Sequence, residues 1–145
     1  MNENGEDKLA VKWGEDLAHL LSLRFGNDLR FVLQALNIQL AIMPRDQSEF
    51  PFPRYAVWEG DRRVIRLFQR PLLQKLSDWN FAARRACAHE LLHALSADRY
   101  RLLPLVVPPP ALSSRAEEYA AEAFAEVVAR NFRLTLEDRV LNFSQ

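Results

Sequence analysis

Residues 82–95 read Ala-Ala-Arg-Arg-Ala-Cys-Ala-His-Glu-Leu-Leu-His-Ala-Leu, a run of strong helix formers. A helix over about 79–95 is therefore predicted, with Ser77 or Asp78 as its cap. On it His89 and His93 lie one turn apart on one face, so their imidazole nitrogens can converge on one metal ion. Ala82 and Ala86 share that face and allow a neighbouring backbone to come close, while Leu91, Leu92 and Leu95 can anchor the helix in a core. Glu90 points toward the side where a metal-bound water would lie. It is expected to act as general base on that water and then as proton carrier to a leaving amine. The bland alternative is a pair of ordinary surface histidines. His19, the third histidine of the chain, is expected as a surface or boundary residue of the N-terminal helix.

A catalytic zinc takes three protein ligands and leaves one position for water. No histidine follows His93, so a carboxylate must supply the third. Asp98 is near in sequence, but its spacing is one residue short of the step used in metzincin-like extensions, and Ser96 stands where those need glycine. The better source is the helix opening near Arg115 and running to about Phe132, capped by Ser113 or Ser114. There Glu118, Glu122, Ala121, Ala125 and Ala129 share a face, and the alanines allow close packing on the motif helix. Ala120, Phe124, Val127 and Val128 form a core-directed stripe opposite. Glu118 is the preferred ligand, Glu117 the fallback, and Glu122 stays open. Any one of them, alone, is as well explained by a favourable place near a helix N-terminus.

The remaining pattern predicts an α+β fold. Residues 8–25 carry apolar side chains at helical spacing, Gly26-Asn27 stops that helix, and Asp28 caps a second one through about Leu36. Residues 37–43 read as a strand and the proline-bearing stretch 44–53 as a loop. A hairpin is expected over 54–58 and 62–68 with its turn at Glu59-Gly60-Asp61. Pro71 suits the first turn of a short helix, 104–110 reads as a rigid connector, and a last short helix is expected after Thr135. The predicted architecture is one α+β domain over 1–145, with a small three-stranded antiparallel or mixed sheet packed on helices that include the His-Glu-Leu-Leu-His helix; that motif resembles the one shared by zincins, which implies a zincin-like arrangement.

Composition excludes several classes. Nineteen Lys plus Arg balance nineteen Asp plus Glu, so no basic excess points to nucleic acid. The arginines clustered between 54 and 85 are expected to form a solvated surface, the alternative being contact with an acidic partner. No stretch of about 18 apolar residues is present, so no membrane span is expected. The polar, acidic opening Met1 to Lys8 is unlike a secretory leader, and the single Cys87 allows no internal disulfide. A cytoplasmic protein is expected.

Two passages together resemble the ImmA/IrrE family of zinc metallo-endopeptidases. That family shows a strand hairpin, a helix ending in Ala-His-Glu-Leu-Gly-His, and a later helix with Glu-x-x-Ala-Asn-x-Phe-Ala. Here the text is Ala88-His89-Glu90-Leu91-Leu92-His93 and Glu118-Tyr-Ala-Ala121-Glu122-Ala-Phe124-Ala125, and the resemblance spans roughly 37–130. It implies one Zn2+ per chain held by His89, His93 and Glu118, with Glu90 as the catalytic base. It also implies a protein substrate, a transcriptional repressor encoded nearby being the type expected, and no direct nucleic-acid or membrane partner. Leu92 stands where the family has Gly, and Glu122 where it has Asn, which changes the charge beside a ligand. The competing expectation is a metal-binding module that keeps the fold without turnover. Tyr100 and Tyr119 are the chemically possible transition-state donors, each also readable as a packed aromatic.

Overall fold

A computed structural model describes residues 2–44, 54–73, 79–97 and 111–136. Asp98, Tyr100, the connector 104–110, most of the loop 44–53, the caps Ser77 and Asp78 and most of the expected last helix lie outside the described residues. The chain is α+β. In order it forms α1 (Asn2–Phe25), α2 (Leu29–Ala35), β1 (Gln39–Met43), β2 (Ala56–Glu59), β3 (Val64–Phe68), α3 (Gln69–Leu73), α4 (Trp79–Ala97) and α5 (Ser114–Asn131). Among these residues no helix is long and apolar enough to cross a membrane.

The three strands form a mixed sheet in the order β1-β3-β2. The expected hairpin is present: β2 runs antiparallel to β3 with Trp58 opposite Ile65. β1 runs parallel to β3, with Leu40 opposite Ile65. The turn does not use glycine's freedom at Gly60. The left-handed residue is Arg63, at φ 51°. Its side chain compensates by donating to the carbonyls of Leu36 (2.6 Å) and Asn37 (3.0 Å).

Those carbonyls belong to the end of α2. Asn37 is left-handed at φ 58°; its N–H donates to Gln34, and the Ile38 N–H reaches back to Leu33. This is a Schellman closure, and Ile38 and Leu33 are both buried. It delays the strand, which begins at Gln39 rather than at Asn37. At the start of α2, Asp28 accepts from the Arg30 and Phe31 N–H groups as expected. α1 begins six residues earlier than its apolar spacing suggests, and its N-terminal part is tied to α5. Glu6 accepts from the Ser113 N–H (3.1 Å) and hydroxyl (3.0 Å), while that hydroxyl caps α5 through the Ala116 N–H.

α5 lies between α1 and α4 and packs extensively on both. Its two faces follow the expected division. Ala121, Ala125 and Ala129 are fully buried, and so are Ala120, Phe124 and Val128. On the α1 side contact is backbone to backbone: Gly14 lies against the Ala120 carbonyl. On the α4 side the Arg84 guanidinium donates to the Ala129 carbonyl at 3.0 Å. α4 in turn buries Ala83, Cys87, Leu91, Leu92 and Leu95 and packs on β2 and β3. The motif helix is thus held between the sheet and α5, with its histidines on the α5 side.

The arginines of 54–85 are not simply a solvated face. Arg66 binds Glu59 at 2.7 Å, Arg84 ties α4 to α5, and Arg85 binds Glu122 and Glu126. Their carboxylate and carbonyl partners come from other elements, which composition cannot show.

Candidate metal centre

The site forms where α4 and α5 face each other. His89 and His93 project from successive turns of α4, with ring centroids 5.0 Å apart. Glu118 reaches across from α5 and spans both rings. One carboxylate oxygen lies 3.1 Å from His89 Nε2, and the other 2.9 Å from His93 Nε2. The donor atoms of His89, His93 and Glu118 all fall within 4.8 Å of one another, and this triad can hold a metal ion. Donors bonded at about 2.0–2.2 Å to a tetrahedral ion stand roughly 3.3–3.6 Å apart, a separation inside that 4.8 Å bound. Two neutral imidazoles and one carboxylate make a donor set suited to a borderline-soft divalent cation.

The other ring nitrogens are also engaged. Glu122 lies 3.0 Å from His89 Nδ1, and Glu117 lies 2.6 Å from His93 Nδ1. The two glutamates that the sequence left open as ligands therefore stand behind the rings, while Glu118 alone faces both Nε2 atoms. A carboxylate behind an imidazole fixes the tautomer that leaves Nε2 free to coordinate, and it raises that nitrogen's basicity. Each backing carboxylate has its own support. Glu122 pairs with the Arg85 guanidinium at 2.7 Å, and Glu117 accepts from the Ser96 hydroxyl at 2.7 Å. Glu126 takes the other side of Arg85 at 2.6 Å and also binds Arg130 at 3.0 Å.

Glu90 lies on the β2 side. Its carboxylate accepts from the Trp58 N–H at 2.9 Å, a bond from the edge strand of the sheet. Burial pushes the Glu90 carboxyl above its ordinary value of 4.5, against the opposing pull of His89, His93 and the Trp58 N–H. That is the direction a general base working near neutrality requires.

Leu92 is fully buried in the core. The larger side chain at this position is therefore absorbed away from the donor atoms. Tyr119 does not approach the histidines. Its ring lies under the Arg115 guanidinium, 5.9 Å away, and lines a surface cavity with Asp7, Val11 and Asp16 of α1. His19 is exposed on α1.

Sequence reasoning missed Ser96, Trp58 and the site role of Arg85. Ser96 had a visible signal, since it stands three residues after His93 on the same helix and hence on a neighbouring position of its surface. Trp58 had none, because its contribution is a backbone N–H at a sheet edge. Comparison with known protein families, with characterised proteins and with solved structures finds no match to this chain.

Proposed function

We propose that this protein is a zinc-dependent endopeptidase that hydrolyses peptide bonds of a protein substrate, with a transcriptional regulator as the favoured substrate type. The observation that carries the proposal is the approach of Glu118 to both Nε2 atoms, at 2.9 and 3.1 Å, on the helix pair that also carries Glu90. His89, His93 and Glu118 would hold the ion, leaving a position for water. Zinc, when bound, supplies an acidified water and polarises the scissile carbonyl. Glu90 would take one proton from the attacking water as the water oxygen bonds to the carbonyl carbon. When the C–N bond breaks, the same carboxyl delivers the proton to the amine nitrogen, so that acid and amine products balance. The Trp58 N–H keeps the Glu90 carboxylate oriented for both transfers. The repressor as substrate rests on the resemblance of the two motifs.

The test uses the whole chain. Zinc content of the purified protein is expected at about one per chain, lost in His89→Ala and His93→Ala. Incubation with a mixed peptide library, read by mass spectrometry, is expected to give new termini with the parent. Glu90→Gln keeps its zinc and gives none. Zinc retained in both histidine variants refutes the site, and equal cleavage by Glu90→Gln refutes the assignment of the base. A parent that binds zinc and cleaves nothing favours a module that acts by binding.

A further inference from the structure

The four ring contacts at the centre are not equivalent. The shortest, at 2.6 Å, joins Glu117 to His93 Nδ1. The second oxygen of Glu117 accepts from Ser96, which stands on α4 three residues after His93. One carboxylate thus grips two positions of the motif helix from α5. Its counterpart Glu122 is differently placed. It lies 3.0 Å from His89 Nδ1, its side chain is 53% exposed against 28% for Glu117, and it shares its charge with Arg85. A carboxylate less exposed to water, whose other partner among the described residues is a neutral hydroxyl, presents more of its charge to the imidazole. One that is exposed and paired with a guanidinium presents less.

We propose that Glu117, held by Ser96, is the dominant positioning residue of the metal centre, locking the His93 imidazole with Nε2 toward the ion. This rests on the metal reading of the His89, His93 and Glu118 triad. Fixing Nδ1–H onto the Glu117 oxygen leaves the Nε2 lone pair directed at the side where Glu118 sits, 2.9 Å away. The competing account is that Glu117, in the first turn of α5, only favours the helix through its dipole. In that case its loss would lower stability and leave metal affinity alone.

The test measures zinc affinity of the full-length chain by competition with a chromophoric chelator. Glu117→Ala is expected to weaken binding roughly 10- to 100-fold, the usual effect of removing a group that orients a ligand. Glu122→Ala should weaken it less. The visible absorption of the Co2+-loaded protein should shift in Glu117→Ala and move back toward the parent's in Glu117→Gln, whose amide oxygen still accepts from Nδ1–H. Parent-like zinc affinity in Glu117→Ala, or a larger loss in Glu122→Ala, overturns the proposal. If Glu117→Ala does not fold, Ser96→Ala decides. It is expected to weaken binding roughly 2- to 10-fold, less than loss of the carboxylate because the hydroxyl acts only through Glu117, and unchanged affinity there overturns the proposal. A parent that binds no zinc overturns the metal reading itself and this inference with it. Zinc lost in Glu118→Ala but kept in Glu117→Ala overturns this inference alone.

Discussion

Gly14→Ala should destabilise the protein, although alanine is the better helix former. Gly14 lies in the middle of α1, where glycine costs about 0.5–1 kcal/mol relative to alanine. A Cβ added there would stand 2.3 Å from the Ala120 carbonyl oxygen, 3.1 Å from its carbon and 3.2 Å from the Phe124 nitrogen. All three atoms are backbone, so no side-chain rotation relieves the overlap. Non-bonded atoms rest about 3.5–4.0 Å apart, which requires α1 and α5 to part by roughly 1 Å. Overpacking of this kind costs about 1–3 kcal/mol. Backbone atoms cannot rotate away, so the upper half of that range applies, about 2–3 kcal/mol; less about 1 kcal/mol of helix propensity gained, the net loss is about 1–2 kcal/mol. At roughly 3 °C per kcal/mol for a chain of this length, Tm should fall by about 3–6 °C. Gly5 offers a control on the same helix, because its Cβ would meet nothing within 4 Å. Gly5→Ala should be neutral or raise stability by up to about 1 kcal/mol. Urea unfolding followed by far-UV circular dichroism measures both. A Gly14→Ala protein as stable as the parent, or shifted in the same direction as Gly5→Ala, would refute the close approach of α1 to α5. The displaced segment lies two residues from both Glu118 and Glu122, so weaker metal retention should accompany the lost stability.

Two further outcomes follow from the site's surroundings. Cys87 is fully buried on α4, and that burial pushes its thiol up to about 12; alkylation at pH 8 should be negligible in the native protein and become rapid only as urea unfolds it, and fast native labelling would contradict the packing of α4. Arg66 holds the Glu59 carboxyl below its ordinary value of 4.5, so the pair's stabilisation is present above that value and fades as pH falls through the lower, folded value; the difference in urea midpoint between the parent and Arg66→Gln should be largest near neutral pH and vanish in acid, and a difference independent of pH would exclude the pair as its source.

The α4 helix was legible because its information is local. Alanine-rich text and an i, i+4 histidine pair specify a helix and a shared face with no tertiary knowledge. The same holds for the Asp28 and Ser113 caps, the β2–β3 hairpin and the two-sided pattern of α5, with alanines on one face and Phe124 on the other. The parallel pairing of β1 with β3 was not legible. It depends on the left-handed closure at Asn37 and on Arg63 reaching the end of α2, contacts between segments 26 residues apart.

Within the site the division runs between residue identity and residue role. Helical spacing put Glu117, Glu118 and Glu122 within reach of the motif helix but could not rank them. Adjacent glutamates differ by only about 100° around the axis, and the rotation of α5 against α4 selects among them. That rotation is set by packing: the buried alanines against α4, and Gly14 against the Ala120 backbone on the other side. It turns Glu118 onto both Nε2 atoms and sends Glu117 and Glu122 behind the rings. Local sequence periodicity therefore specified which side chains can meet, while close packing between helices decided which atom each presents to which nitrogen.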